Sequence, residues 1–469
     1  MLFSFYRTTV TFVTDCPFFR IYLCHINLEK TIMKKINVVL ILASLSISVT
    51  GFSQDTLAIS KKEIWQKASD KNLQIKMANQ DFKSAQADYR QSNALFLPSI
   101  SASHTAISTT NPLMAFGSKL NQEILTAADF NPALLNNPAK TQNFATKIEV
   151  LQPLINVDGF YGRQAAKSKM EAFQLQTERT KEYLELEVNK AFMQLQLGYK
   201  AVAVLEKANA TGDANLKLIE NYFKQGILQK TDLLSVQVRV NEIKNQLQYA
   251  KSNVQNASDY LGFLLNEDTT NKVYKPIEAL ENSIVIETIN TTLPANRKDI
   301  QAMDKSSEAY AKMLQSSKMN FLPRLNAFGS YELYDDTFLG TNAKGYLVGA
   351  QLSWSVFDGY KSIGKMEKAK ADFQKSEIEN QQYKAQSQLD LNKANRQLKD
   401  AENKVNLSKL ALEQSQEAYR IRSNRFTQGL EKTTDLLQSE TQMSQKELEF
   451  LQAVFEYNFT QEYVQFLTK

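Results

Sequence analysis

The stretch Gln225-Gly226-Ile227-Leu228-Gln229-Lys230-Thr231-Asp232-Leu233-Leu234 returns later in the chain as Gln428-Gly429-Leu430-Glu431-Lys432-Thr433-Thr434-Asp435-Leu436-Leu437. Phe223 matches Phe426 in the same register. Two further marks repeat in the same order. Phe96-Leu97-Pro98 returns as Phe321-Leu322-Pro323, and Asp158-Gly159-Phe160 as Asp358-Gly359-Tyr360. Three landmarks in one order identify a duplicated structural unit. The units are expected over 54–266 and 296–469, with an irregular linker over 267–295.

Each glycine suits a left-handed residue that ends one helix. Thr231, and Thr433 or Thr434, can then open a returning helix, with Asp232 and Asp435 near its positive end. Helices are expected at about 60–96, 158–224 and 228–266 in the first unit, and at about 297–320, 358–426 and 433–468 in the second. Leu184, Val188, Ala191, Leu195, Gly198, Val202 and Leu205 keep a 4-3 spacing, which is a coiled-coil seam. Leu391, Ala394, Leu398, Ala401, Val405 and Leu412 form its counterpart.

Between these helices the period changes to two. Ile100, Ala102, His104 and Ala106 alternate with serines and a threonine, which predicts a strand at about 98–108. Further strands are expected at about 146–152, 323–334 and 345–356. The segment from Thr109 to about Ala145, punctuated by Asn-Pro pairs, reads as a long irregular loop. Tyr346, Val348, Ala350, Leu352, Trp354 and Val356 make one apolar face. Segments of about ten residues with this alternation are the pattern of a membrane β-barrel, and Tyr346 and Trp354 are spaced as two aromatic girdles would be. A soluble antiparallel sheet alternates likewise. Four strands cannot close a barrel, and an open edge in lipid leaves backbone groups unpaired. Two copies would supply eight strands and three copies twelve.

Composition excludes several classes. The 469 residues carry a net charge of only +5 and no dense basic block, which argues against nucleic acid. Met33-Lys34-Lys35 followed by the apolar run Ile36 to Val49 reads as a signal peptide over 33–53, cleaved before Gln54. Residues 1–32 then lie upstream of the true start. Cys16 and Cys24 fall in that segment, so disulfides, thiolate metal sites and thiol catalysis are not expected. His104 is the only histidine of the expected mature chain, and no paired acid–base motif accompanies it. No catalytic residue, cofactor site or metal site is expected.

The ordered, duplicated marks resemble the TolC-type outer membrane efflux and secretion channels. The opening Leu57 to Ile64 is similar to the start of that family, and Asn296-Arg297-Lys298-Asp299-Ile300 to its Arg-Pro-Asp opening of the second unit, with Lys298 in place of proline. The resemblance covers essentially the whole expected mature chain. It implies a mainly α protein with membrane β: long antiparallel helical hairpins forming an α-barrel in the periplasm, and four strands per chain in a trimeric twelve-stranded barrel in the outer membrane. It implies passive transport, with a periplasmic adaptor (membrane fusion) protein and an inner-membrane RND or ABC pump as partners. Cargo choice would rest mostly with the pump.

The resemblance also assigns residues. The turns at Gly226, Ile227 and Leu228 and at Gly429, Leu430 and Glu431 would form the periplasmic tip and meet the adaptor. Some members line the entrance with aspartates six and nine residues after the second glycine. Asp435 fills the first position and Gln438 the second, so one acidic ring is expected, with Asp232 also at the entrance. In such members the first-turn aspartate bonds a tyrosine and an arginine of the second turn. Those positions hold Phe426 and Glu431 here, so those bonds do not carry over; Lys432 and Arg425 are the nearby cations. A periplasmic adaptor and a structural coiled coil of the cell envelope are the competing readings. An adaptor would have a single hairpin, and an ordinary coiled coil has no strand pairs between its helices.

Overall fold

A computed structural model of the chain describes residues 55–270, 272–281 and 291–469. The expected upstream segment, the signal peptide and part of the linker lie outside the described residues.

Two very long helices carry the architecture. Helix α5 spans Val157–Lys224 and helix α8 spans Lys361–Thr427, 68 and 67 residues. At ~1.5 Å per residue each extends about 100 Å. Shorter helices pack along them in pairs. Helix α2 (Leu73–Gln91) and helix α6 (Lys230–Leu265) both lie against α5. Helix α7 (Lys298–Met319) and helix α9 (Thr433–Thr468) lie between α5 and α8. The Asn72 side chain caps α2 and donates to the Leu264 carbonyl at 2.8 Å, so α2 begins where α6 ends. Arg297, just before α7, reaches the Leu467 carbonyl at the end of α9 at 3.2 Å. Each unit is therefore one unbroken helix beside two helices set end to end.

The seams are as the spacing implies. Leu184, Val188, Ala191, Leu195 and Leu205 are buried, as are Leu391, Ala394, Ala401 and Val405. Small residues let the helices approach closely. A Cβ on Gly198 would meet Val254 of α6 at 3.0 Å.

Strands β2 (Ser99–Thr109), β3 (Thr141–Ile155), β5 (Arg324–Asp335) and β6 (Ala343–Ser353) form one antiparallel sheet in the order β2-β3-β5-β6. Residues opposite in register share a face. Ala102, Ile148, Tyr331 and Tyr346 make one row across all four strands, and Ser103, Lys147, Glu332 and Gly345 the adjacent row on the other face. Apolar side chains thus line one side. On the other, Lys147 lies 3.4 Å from Glu149 and 3.6 Å from Glu332. The outer edges of β2 and β6 have no partner strand among the described residues.

Several expected boundaries need correction. The helix read over 60–96 is broken. Helix α1 (Lys61–Lys71) opens with a Ser60–Glu63 capping box, Asn72 restarts the chain as α2, and residues 92–95 tighten into a 3₁₀ turn. Strand β3 runs through Pro153, with a register shift between Pro153 and Ile155, rather than ending there. Strand β6 stops at Ser353, so Trp354 and Val356 lie beyond it. The Trp354 indole N–H donates to the Phe321 carbonyl at 3.0 Å, which holds the ring at the junction with the helices. The segment 109–145 is not irregular: it holds helix α3 (Pro112–Asn121), a 3₁₀ turn over 127–130 and helix α4 (Pro132–Asn136). The linker contributes strand β4 (Lys272–Pro276), which pairs with strand β1 (Asp55–Ile59). The Asp-Gly marks also differ locally. Gly159 lies inside α5, whereas Gly359 precedes α8 with φ +67°.

Candidate functional site: the helical tip

Both repeated turns close in the same way. Gly226 and Gly429 each adopt φ +74°, the left-handed region that favours glycine. Around the first, the Ile227 amide donates to the Tyr222 carbonyl and the Gly226 amide to Phe223, both at 2.9 Å. Around the second, Leu430 donates to Arg425 at 2.9 Å and Gly429 to Phe426 at 3.0 Å. This crossed pair satisfies carbonyls that the helix end leaves free. Ile227 and Leu430 occupy equivalent positions and are 63% and 64% exposed, with Leu228 half-buried between the turn and the bundle.

The two aspartates are not equivalent. Helix α6 begins at Lys230 with Gln229 as its cap rather than Thr231, and the Asp232 carboxylate accepts the Gln229 amide at 3.1 Å. Asp232 therefore caps its helix. Asp435 stands in the first turn of α9, half-exposed, and makes no hydrogen bond or ion pair among the described residues. Gln438, one turn further on, is exposed.

Phe426 and Glu431, at the positions of the resemblance's tyrosine and arginine, have other roles. Phe426 is buried with Ile219 of α5, Val236 and Val240 of α6, and Leu436 and Leu437 of α9. Tyr222 packs beside it, ring centroids 6.2 Å apart and planes tilted by 47°. The two hairpins are thus joined near their tips by an apolar cluster. Glu431 pairs with Arg425 at 2.8 Å and Arg422 at 3.4 Å, both from its own hairpin. Arg425 is engaged across its own turn, and Lys432 caps α9 through its backbone without a side-chain bond.

Sequence reasoning missed the charge that lies deeper. Glu440 of α9 is fully buried, and neither carboxylate oxygen has a hydrogen-bond partner. Burial pushes its carboxyl above the ordinary range, opposed by the Arg239 charge on α6 and by Asn215 on α5. Its signal was available: Glu440 follows Leu436 by four residues and so falls on the α9 seam.

Among the described residues no cluster could hold a metal ion, and no helix is long and apolar enough to cross a membrane. The sheet is the element with a membrane-facing pattern. Tyr346 is 81% exposed on its apolar face, and Trp354 is exposed at its lower rim.

Among curated proteins no sequence matches this chain. Solved structures share its fold. The Campylobacter jejuni CmeC outer membrane channel aligns with a TM-score of 0.75 at 14% identity, over 87% of this chain and 85% of that one. The Vibrio cholerae outer membrane protein VceC aligns at 0.73 and 14%, over 87% and 96%. The open-state Neisseria gonorrhoeae MtrE outer membrane channel aligns at 0.70 and 14%, over 87% and 88%. The sequence profile of the outer membrane efflux protein family matches residues 64–267 and 291–466, which is most of the chain in two segments. The chain belongs to the outer membrane efflux protein family: it is a non-enzymatic outer membrane channel of a tripartite efflux pump, with its helical tunnel in the periplasm.

Proposed function

We propose that three copies pair the free edges of β2 and β6 into a twelve-stranded barrel, and that the helical tip is the entrance of the duct. Family membership implies a trimeric channel that works with pump partners. The partners proposed here are a periplasmic adaptor, seated on the turns at Gly226–Leu228 and Gly429–Glu431, and an inner-membrane RND or ABC pump. The exposed Ile227 and Leu430 give each turn an apolar knob for an adaptor to cover.

At the entrance, Asp435 supplies one carboxylate per chain. The observation that carries this reading is the contrast with Asp232. Asp232 spends its carboxylate on a helix cap, whereas Asp435 has no local partner. Three unpaired carboxylates around a narrow opening attract cations and repel anions. Gln438 adds polarity without charge. Planar-bilayer recording of Asp435→Asn tests this. Lower cation selectivity and weaker block by trivalent cations, at unchanged thermal stability, support the ring. Unchanged selectivity with a lower melting temperature would mean that Asp435 serves only its helix.

A further inference from the structure

The segment between β2 and β3 folds into a built element. Asn111 caps α3, its side chain accepting the Met114 amide at 3.2 Å, and Pro112 occupies the first turn. Gln122 anchors the other end. Its buried amide donates to the Gln142 carbonyl and the Asn143 side chain, both at 2.8 Å, and to the Asp335 carbonyl at 3.2 Å. Lys119 pairs with Asp129 at 2.8 Å, which ties the helix to the 3₁₀ turn that follows.

The burial pattern shows which side of the sheet α3 covers. At the start of β3, Thr141 and Asn143 are buried and Gln142 is exposed. Asn143 has the parity of Lys147 and Glu149, so α3 lies over the polar face. It does so at the end of the sheet remote from the long helices. In a barrel with its apolar face toward lipid, that place is inside the outer mouth.

Helix α3 buries Ala115, Ser118 and Gln122 on this anchor, and Phe116 and Lys119 at its flank meet Phe130 and Asp129 of the 3₁₀ turn. The opposite face is apolar and open. Leu113 is 81% exposed and Leu120 56% exposed. A Cβ on Gly117 between them would meet nothing within 4 Å. The spacing 113, 117, 120 puts all three on one stripe.

Barrel dimensions decide what covers that stripe. Twelve strands ~4.8 Å apart, tilted by ~40°, close a ring of radius about 12 Å. A helix with its side chains is ~10–12 Å thick. One such helix against the wall from each chain reaches the axis, where the nearest surfaces are the same stripes of the other two copies. We propose that three copies of α3 meet by their Leu113–Gly117–Leu120 faces and form an apolar constriction at the outer mouth, a second gate opposite the periplasmic tip. This rests on the trimeric-barrel reading. An apolar ring of this kind resists the entry of hydrated solutes until it is forced apart.

The test is cross-linking of the full chain in Leu120→Cys, with Cys16→Ser and Cys24→Ser. A short thiol cross-linker should convert the trimer to covalent dimers, because three thiols can form one pair. Leu134→Cys, on α4, is the control and should remain monomeric on denaturing gels. In Leu113→Glu/Leu120→Glu, charge repulsion at the axis should raise single-channel conductance by about two-fold or more, with the trimer intact by native mass spectrometry. An intact trimer with no Leu120→Cys cross-link, equal cross-linking of Leu134→Cys, or unchanged conductance overturns the outer gate alone. A wild-type protein that is not trimeric by native mass spectrometry overturns the shared barrel, and this proposal with it.

Discussion

Arg297 and Asp299 are joined by two parallel hydrogen bonds, Nε to Oδ1 at 2.8 Å and Nη2 to Oδ2 at 2.7 Å. The pair is the hub of the second unit. Arg297 also reaches Ser387 on α8 and the Leu467 carbonyl of α9, and Asp299 accepts the Tyr383 hydroxyl at 2.6 Å. Arg179 of α5 stands 3.4 Å from Asp299 and donates to the Phe466 carbonyl. Cations at the end of α9 also oppose its dipole. In the first unit, the neutral Asn72 bonds the Leu264 carbonyl at the equivalent junction, with Lys71 beside it 2.8 Å from Glu267. The duplication therefore kept the geometry of both junctions; both carry ion pairs, and only the second builds its pair into a buried arginine.

The buried pair predicts acid sensitivity. Burial would raise the Asp299 carboxyl, but the hydrogen bonds from Arg297 and Tyr383 and the charge of Arg179 bring it from 3.8 down to about 2. A carboxyl lowered on folding stabilises above its unfolded value, and that contribution is lost as pH falls through the folded one. The window is therefore about pH 4 to 2. At ~1.4 kcal/mol per unit, roughly 2 kcal/mol is at stake. Asp299→Asn leaves Arg297 buried without its charge partner and should cost about 3–5 kcal/mol at neutral pH. Denaturant midpoints against pH, wild type beside Asp299→Asn, check both. A wild-type curve that is flat from pH 4 to 2 would count against the ionic hub.

At the tip, Phe426 should matter more for closure than any charge. Phe426→Ala removes the ring shared by α5, α6 and α9 and should cost about 3–5 kcal/mol locally. The expected result is a leakier channel with the trimer retained, read as conductance and as protease access to the turns. Phe426→Tyr should keep most of the closure, because the ring contacts remain. Equal leakage in both variants would show that the ring is not what closes the tip.

Gly429→Ala isolates the backbone requirement. Nothing lies within 4 Å of the added methyl, so the cost is that of φ +74° alone, about 1–2 kcal/mol. Gly429→Asn should cost less, since asparagine tolerates this region better. Faster proteolysis after residue 429 in the alanine variant, with the asparagine variant in between, is the expected order.

The glycine turns were legible because each places its conformational demand on one residue, and the demand was written twice. The seams and strands were legible through their periods, as Leu184 to Leu205 and Tyr346 to Leu352 show. Helix α3 was not. Asn111-Pro112 reads as loop punctuation, but the same pair is an N-cap followed by a proline whose missing amide costs a helix nothing at its first turn. Strand β4 escaped because its partner β1 lies over 200 residues away, and nothing within five residues encodes that pairing. The Arg425–Glu431 bond escaped because the turn alone brings the two side chains together.

Glu440 should make the tip less stable as pH rises. It faces Arg239 from α6, Asn215 from α5 and Tyr419 from α8, and its oxygens accept no hydrogen bond. Arg239 is itself drawn toward Glu242, 3.5 Å away, so its charge is shared. Because the folded carboxyl titrates above its ordinary 4.5, its neutral form suits the buried site. The sign is opposite to that of Asp299. The contribution is fully present below the ordinary carboxylate value and is lost as pH rises through the folded one. An ionised carboxylate left without hydrogen bonds in the interior costs on the order of 1–3 kcal/mol or more. Glu440→Gln keeps the shape without the charge. It should match the wild type at pH 4 and exceed it at pH 8, both in tip protection measured by hydrogen exchange over 433–445 and in thermal stability. Equal protection at both pH values would mean that Arg239 fully compensates the ionised form and that Glu440 is a settled ion-pair partner.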